Sequence, residues 1–283
     1  MKDVLDLFKL RIGAAIAGAA AAGVAIERGV APGAGRVATL LAAVLVASGA
    51  AGALNQYVER DLDARMARTA RRPFVTGALR PRPAWLGLIG ALTAAAVLSA
   101  AVATNAIAAL HVFLGAFTYG VVYTILLKRR TWWNIVVGGL AGSFAVLAGA
   151  AAVSPTPGPE ALALAITLFL WTPPHFWSLA IVCREDYAAA RVPMLPVVVG
   201  EARAARAIWF GAWLLFVASL APAVFGAGLF YLAAALAGGV WFLLKCRALL
   251  GRPSRETARS AFRASLVQLG AVLGGAVVDA ALR

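Results

Sequence analysis

Nine stretches of predominantly apolar residues recur along this chain, and each is long enough to cross a bilayer as a helix of about 20 residues. They lie at approximately 10–27, 37–57, 84–103, 106–127, 134–153, 160–182, 207–226, 228–246 and 263–281. Backbone groups must be paired inside lipid, so apolar stretches of this length predict helices. The composition, 62% hydrophobic and 13% charged, also differs from that of a soluble domain. We therefore expect an all-α, polytopic membrane protein in which residues 1–283 form one domain of nine transmembrane helices.

The basic residues are unevenly distributed between the segments that connect these stretches. A nine-helix topology places 23 of the 26 lysines and arginines on one side of the membrane. Because basic loops stay in the cytoplasm, this side is predicted to be cytoplasmic, with the N-terminus inside and the C-terminus outside. The net charge of +14 is then explained by membrane orientation, and no nucleic-acid partner is expected. Because the opposite loops are short and hold few charges, we expect a central cavity that opens to the cytoplasmic face.

An acidic segment, residues 55–63, lies at the cytoplasmic end of the second stretch. On a helix, Asn55, Glu59 and Asp63 share one face, because residues four apart are neighbours on its surface. Asp61 points elsewhere. The three side chains form either a Mg²⁺ site completed by phosphate oxygens or a solvated helix end, and the spacing leaves both interpretations open.

Basic residues follow this segment closely. Arg68 and Arg72 stand beside the carboxylates, where a planar guanidinium suits bidentate contact with a phosphate. Lys128, in the next cytoplasmic segment, is a further candidate for contact with a diphosphate. Arg80 and Arg82 are interpreted as charges that only orient the chain in the membrane.

Residues 171–196 combine a Pro-Pro pair inside an apolar stretch with a histidine and a charged cluster. Pro173-Pro174 predicts a break in the helix, which lipid tolerates only where the freed backbone lines a protein cavity. His175 follows directly, which favours a functional role over simple packing. A second, weaker pole for a cation or phosphate, or alternatively the solvated start of a loop, is formed by Arg184, Glu185 and Asp186.

Acidic and basic side chains at one face of an apolar helical cavity suit an allylic diphosphate. Its charged head matches the polar rim and its isoprenoid tail matches the apolar interior. Mg²⁺ and arginines stabilise a departing diphosphate, and a cavity poor in water protects the carbocation that remains.

The motifs resemble those of the UbiA-type intramembrane prenyltransferases and, within them, the branch that farnesylates heme. The resemblance covers nearly the whole chain. It is carried by Asn55, Glu59, Asp61 and Asp63 with Arg68-Thr69 and Arg72-Pro73, by Tyr123-Thr124 with Lys128-Arg129 and Asn134, and by Thr172-Pro-Pro-His-Phe-Trp177 with Asp186-Tyr187 and Val192-Pro-Met-Leu-Pro196. The last set is the one most specific to the heme branch.

This resemblance implies a transfer of farnesyl from farnesyl diphosphate to a vinyl group of heme B, which is a substrate and not a cofactor. It implies that Asn55, Glu59 and Asp63 hold Mg²⁺, with Glu185 and Asp186 as a second metal pole. Arg68, Arg72, Lys128 and Arg184 would contact diphosphate, and His175 would contact heme through its iron or a propionate. The implied location is a bacterial or archaeal plasma membrane, with a heme A synthase or terminal oxidase assembly as partner.

The chain departs from the family pattern at two positions. Gln56 stands where members that act on quinone precursors usually have Asp, which favours heme over quinone precursors. Arg191 stands where the heme branch usually has Gly, a change that could alter the local turn. Two alternatives remain open from the sequence: a prenyltransferase for a quinone or chlorophyll-type acceptor, and a transporter, since broken helices also mark transporters.

Overall fold

The computed structural model describes residues 6–30 and 32–282, and the regular structure in this part of the chain is entirely helical. Nine long helices match the nine predicted stretches. They are α1 (Leu10–Ile26), α2 (Ala34–Val58), α3 (Ala84–Ala103), α4 (Ala106–Leu127), α5 (Asn134–Val153), α6 (Pro159–Val182), α7 (Glu201–Phe225), α8 (Leu229–Gly251) and α9 (Arg255–Ala281). Helices α2 to α9 are long and apolar enough to cross a membrane, whereas α1 is shorter at 17 residues.

The nine helices form a closed ring, because each packs against the next in the chain and α9 packs against α1. Helix α1 also packs against α5, and α6 against α9. The contact between α1 and α5 depends on glycine. A β-carbon at Gly23 would collide with the backbone of Val146, and one at Gly149 with the backbone of Ala20. Small residues thus let the helix backbones touch, as in many membrane bundles.

The last three helices extend beyond the apolar stretches from which they were predicted. Helix α7 begins at Glu201 instead of 207, α8 ends at Gly251 instead of 246, and α9 begins at Arg255 instead of 263. Hydropathy marks the part of a helix that suits lipid, whereas hydrogen bonding continues through the charged turns beyond it. The start of α9 is fixed locally, because the Ser254 hydroxyl accepts a hydrogen bond from Thr257 N at 3.2 Å in a capping box.

Four short helices lie in the loops at the end of the bundle that carries most of the basic residues. They are Arg60–Asp63, Pro73–Thr76, Arg184–Ala189 and Leu195–Val199. We call this the basic end, defined by residues 58–83, 128–133, 183–206 and 245–263. The candidate site residues of the acidic and basic segments lie here, except Asn55, which is within one turn of it on α2.

The predicted break at Pro173-Pro174 is wrong, because α6 runs through both prolines without interruption. A proline removes one backbone donor, but a membrane helix tolerates this loss when a neighbouring helix and hydroxyl side chains compensate. Pro174 is buried, and a β-carbon at Gly211 of α7 would lie 3.5 Å from its ring. The Ser178 hydroxyl donates to Pro174 O at 2.7 Å. The proline turn therefore packs against α7 inside a continuous helix.

Arg191 occupies the left-handed conformation, with φ 54°, in a turn that usually requires glycine. Val192 N donates to Tyr187 O at 2.9 Å and Arg191 N donates to Ala188 O at 3.0 Å. These two hydrogen bonds form a Schellman motif that ends the helix Arg184–Ala189. The turn is thus formed with arginine at its glycine position, at a conformational cost.

Candidate active site

Asn55, Glu59 and Asp63 lie on one buried face at the basic end of α2, as their spacing predicts. Glu59 N donates to Asn55 O at 2.9 Å and Asp63 N donates to Glu59 O at 2.8 Å, so the helical hydrogen bonding links all three. Their exposures are 3%, 0% and 0%. The alternative of a solvated helix end is therefore wrong. We call these three residues the oxygen stripe.

Asp61 points away from the oxygen stripe, also as predicted. It is exposed, and both of its carboxylate oxygens accept hydrogen bonds from Arg129, at 2.7 and 2.8 Å. This hydrogen bonding lowers the pKa of Asp61. Asp61 therefore forms a surface pair that ties the loop after α4 to the end of α2.

Each residue of the oxygen stripe contacts one side-chain cation. Lys128 forms a buried ion pair with Glu59 Oε2, and Arg72 Nη1 lies 2.6 Å from Asp63 Oδ2. Lys9 Nζ donates to Asn55 Oδ1 at 2.8 Å. Arg72 and Lys128, which the sequence places near the acidic segment, thus contact its carboxylates directly.

Lys9 was missed as a site residue, since the sequence marks it only as an N-terminal basic residue. Its ammonium also donates to the Tyr119 hydroxyl at 3.0 Å. Burial, together with the charges of Arg72 and Lys128, lowers the pKa of Lys9 to about 7. These contacts join positions 46 and 110 residues apart, so only the packing of α1, α2 and α4 reveals them.

The last part of α4, Thr118–Leu127, is a π-helix. Lys128 N donates to Tyr123 O, five residues earlier, at 2.9 Å. The wider turn places Tyr119, Thr124 and Lys128 toward the oxygen stripe, where Thr124 Oγ1 accepts from Asn55 Nδ2 at 3.1 Å. Such segments are frequent at functional sites.

Two carboxylate oxygens of the oxygen stripe remain available to a ligand. Glu59 Oε1 and Asp63 Oδ1 are buried and have no hydrogen-bond partner among the described residues. A buried unpaired carboxylate oxygen is costly, so these atoms fit a divalent cation. No three His, Cys, Asp or Glu side chains within residues 6–30 and 32–282 are grouped to hold a metal. Two carboxylates and the Asn55 amide match Mg²⁺ only if substrate oxygens complete the coordination.

Of the predicted second pole, Asp186 contacts the loop after α2 instead of the oxygen stripe. Asp186 Oδ1 accepts a hydrogen bond from Ala67 N at 2.9 Å, and its other oxygen lies 3.9 Å from Arg68 Nε. Arg68 also donates to the Tyr187 hydroxyl at 3.2 Å. Arg184 donates to Pro196 O at 3.2 Å, and Glu185 is exposed. The structure therefore brings Arg68 and Asp186 together but leaves Arg184 and Glu185 outside that contact.

His175 is buried between α6 and α9, away from lipid. Its ring is stacked between Trp171 and Phe262, with centroids 4.0 and 4.7 Å away. Nδ1 lies 2.7 Å from Ser265 Oγ. Because the single hydroxyl proton of Ser265 goes to Phe262 O, Nδ1 must be the donor to Ser265. In the neutral ring the Nε2 atom then carries the in-plane lone pair.

Comparison with known proteins places this geometry in a family. A model of the UbiA prenyltransferase family matches residues 16–267. The chain is 56% identical over 280 residues to "Protoheme IX farnesyltransferase 2" of Paramagnetospirillum magneticum, covering 99% of this chain and 97% of that protein.

Solved structures share the fold at low sequence identity. A digeranylgeranylglyceryl phosphate synthase structure has a TM-score of 0.81 at 16% identity, covering 100% of this chain and 99% of the other. A UbiA homolog from Archaeoglobus fulgidus, bound to GPP and Mg²⁺, has a TM-score of 0.73 at 18% identity, covering 98% and 99%. At these identities the likeness concerns the fold alone.

Proposed function

Because the chain belongs to the UbiA prenyltransferase family, we propose that it transfers farnesyl from farnesyl diphosphate to a vinyl group of heme B. The product is the hydroxyethylfarnesyl group of heme O, and diphosphate is released. One observation carries the proposal: the 56% identity, over nearly the full length of both chains, to a protein named for farnesyl transfer to protoheme IX.

The diphosphate end of the reaction is assigned to the oxygen stripe and its cations. Mg²⁺ would be held by Asn55, Glu59 and Asp63 and would supply charge stabilisation to the leaving diphosphate. The unpaired oxygens of Glu59 and Asp63 support this assignment, as does the Mg²⁺ bound with GPP in the Archaeoglobus homolog. Arg72 and Lys128 contact the other oxygens of the same two carboxylates, and they would neutralise the charge that develops as the C–O bond breaks.

Arg68 is assigned to the outer edge of the diphosphate site. Its guanidinium lies over the Tyr187 ring, 5.1 Å from the centroid, and its Nε lies 3.9 Å from Asp186 Oδ2. The contacts of Asp186 support a role in joining the two loops. Arg184 and Glu185 stay proposed as a weaker second pole for phosphate or cation.

The acceptor end of the reaction is assigned to His175. A neutral imidazole with Nδ1–H donating to Ser265 offers its Nε2 lone pair, which suits a heme iron, or equally a hydrogen bond from a protonated propionate. The vinyl π-bond attacks the allylic cation left by diphosphate departure. Water then adds to the cation on the porphyrin side and loses a proton, which gives the hydroxyl group of the product.

The proposed setting is a bacterial or archaeal plasma membrane, with the basic end in the cytoplasm and a heme A synthase or terminal oxidase assembly receiving the product. The distribution of lysine and arginine supports this orientation. The transporter alternative loses its support, since α6 is not broken.

Purified protein incubated with heme B, farnesyl diphosphate and Mg²⁺ should yield heme O, detected by chromatography and mass spectrometry. Parallel reactions should replace heme B by an aromatic quinone precursor, and Mg²⁺ by a chelator. Prenylation of the quinone precursor without formation of heme O would overturn the proposed acceptor and favour the quinone alternative. Full activity in chelator would overturn the role of Mg²⁺.

A further inference from the structure

A groove lies on the surface between α8 and α9 at the basic end. Its volume of about 560 Å³ is within the range of small-ligand sites, about 300–1,000 Å³. The small side chains of Ser260 and Ala264 form part of its α9 wall. Farther along the two helices the backbones touch, since a β-carbon at Gly238 would lie 3.1 Å from Gln268 Cα. The groove therefore opens from this contact toward the basic end.

Three cations line this α8–α9 groove: Lys245 of α8, and Arg259 and Arg263 of α9. The Lys245 ammonium lies over the ring of Trp241, 4.3 Å from its centroid, and both arginines are exposed. Within residues 6–30 and 32–282, no carboxylate lies within ion-pair distance of any of the three. Glu256 is the one acid that lines the groove, so three positive charges face one negative charge. The groove therefore attracts anions.

An apolar surface continues from the groove along α9. Arg263, Val267, Gly270 and Gly274 share one face of the helix, because their spacing follows its turns. Val267 is exposed, and a β-carbon at Gly270 or Gly274 would meet nothing within 4 Å. This face thus changes from arginine to a shallow apolar furrow as it leaves the basic end.

The change from charged to apolar surface coincides with the edge of the predicted membrane segments. Lys245 and Arg263 stand at the ends of the apolar stretches 228–246 and 263–281. Lysine and arginine at such helix ends extend their charges to the level of the lipid head groups. Trp241 is exposed one turn farther in, where tryptophan is enriched at membrane interfaces. The three cations therefore lie at the depth of lipid phosphates, with the furrow beside the hydrocarbon.

We propose that the α8–α9 groove binds an anionic phospholipid of the surrounding membrane. Its phosphate contacts Lys245, Arg259 and Arg263, and one acyl chain lies along Val267 and the two glycines of the furrow. Basic pockets between transmembrane helices bind anionic head groups in this way. A soluble anion would use only the charged part of this surface, whereas a phospholipid uses both parts. The site is separate from the oxygen stripe, and the inference does not rest on the proposed reaction.

Native mass spectrometry of the full chain, delipidated in neutral detergent, tests this site. We expect the first phosphatidylglycerol to bind at least about tenfold more tightly than phosphatidylcholine with the same acyl chains, because only the former carries net negative charge. The double variant Arg259→Gln and Arg263→Gln should weaken phosphatidylglycerol binding about 10–30-fold and leave phosphatidylcholine binding unchanged. The matched control, Arg247→Gln with Arg252→Gln, removes two exposed arginines that do not line the groove and should bind like the wild type. Glu256→Gln should tighten phosphatidylglycerol binding about 2–5-fold, a gain that damaged folding cannot produce.

Equal affinity of the wild type for the two lipids would overturn the proposal. Equal weakening in the two double variants would also overturn it, because the lipid would then respond only to the overall charge of the basic end. Inorganic phosphate, glycerol phosphate and farnesyl diphosphate should each fail to displace the bound lipid when present at the same concentration. Displacement by either of the first two would identify a soluble anion as the occupant, and displacement by farnesyl diphosphate would assign the groove to the substrate. A protein that binds the lipid as expected but forms no heme O would contradict only the proposed reaction.

Discussion

Asp63→Asn should remove almost all activity, whereas Asp61→Asn should remove little, although the two changes are chemically identical and only two positions apart. Asp63 is fully buried in the oxygen stripe, with one oxygen 2.6 Å from Arg72 and the other unpaired. Asp61 has a side-chain exposure of 49% and forms a surface pair with Arg129. Because both variants change a carboxylate to an amide, a difference between their activities reports the position of the residue on the helix.

The expected sizes follow from these environments. Loss of one preorganised group that stabilises developing charge lowers the rate by about 10²–10³-fold, and we expect this for Asp63→Asn. Its loss of stability should be about 1–3 kcal/mol, since an amide keeps some hydrogen bonding and Arg72, at 23% exposure, can be hydrated. For Asp61→Asn we expect a change of about 0–1 kcal/mol, because both partners in that pair are exposed to water.

Initial rates of heme O formation at limiting Mg²⁺, with thermal unfolding of the same preparations, measure both effects. A rate for Asp63→Asn within about threefold of the wild type would correspond to less than 1 kcal/mol of lost transition-state stabilisation, and would exclude Asp63 as a metal ligand. An equally large loss of rate in Asp61→Asn would mean that activity depends on negative charge at this helix end in general and not on the oxygen stripe.

Three further predictions concern single contacts. Arg72→Lys should lower the rate about tenfold or more, because an ammonium cannot reproduce the bidentate contact of a guanidinium. Arg80→Lys, at an exposed arginine, should leave the rate unchanged. Equal rates for the two variants would mean that the charge of Arg72 only orients the chain in the membrane. Arg191→Gly should raise thermal stability by about 1 kcal/mol, because glycine adopts φ 54° without strain; a lower melting temperature would contradict the strain. His175→Ala should weaken heme binding, measured by absorbance titration, more than it weakens farnesyl diphosphate binding. Asn55→Ala should weaken farnesyl diphosphate binding more than heme binding. If both variants lost affinity for both ligands equally, these residues would have structural roles only.

The helices and the oxygen stripe could be predicted because both depend on local periodicity. A stretch of about 20 apolar residues has few alternatives to a membrane helix. Asn55, Glu59 and Asp63 share a face in any helix. The hydrogen bonds from Glu59 N to Asn55 O and from Asp63 N to Glu59 O keep that periodicity past the end of α2 and into the short helix Arg60–Asp63.

Contacts between distant helices could not be predicted in this way. Ser265 lies 90 residues from His175, and no spacing in the sequence links a serine of α9 to a histidine of α6. The π-helix from Thr118 to Leu127 has no sequence signal that distinguishes it from an α-helix. The break at Pro173-Pro174 was mispredicted because proline chemistry is local, whereas the packing of Pro174 against Gly211 of α7 is tertiary.

The segment Lys128-Arg129-Arg130 shows why basic residues at a membrane face are hard to assign from sequence. All three fit the rule that places positive charge in the cytoplasm, yet their environments differ completely. Lys128 is 6% exposed and pairs with Glu59, Arg129 pairs at the surface with Asp61, and Arg130 is exposed. Successive residues at the end of α4 point in different directions, so one side chain enters the buried cluster while its neighbours remain outside. Burial of the partner side chain, which only the fold supplies, therefore distinguishes a cation of the site from one that orients the chain. By the same criterion Lys9, whose partner Asn55 is 3% exposed, belongs with Lys128.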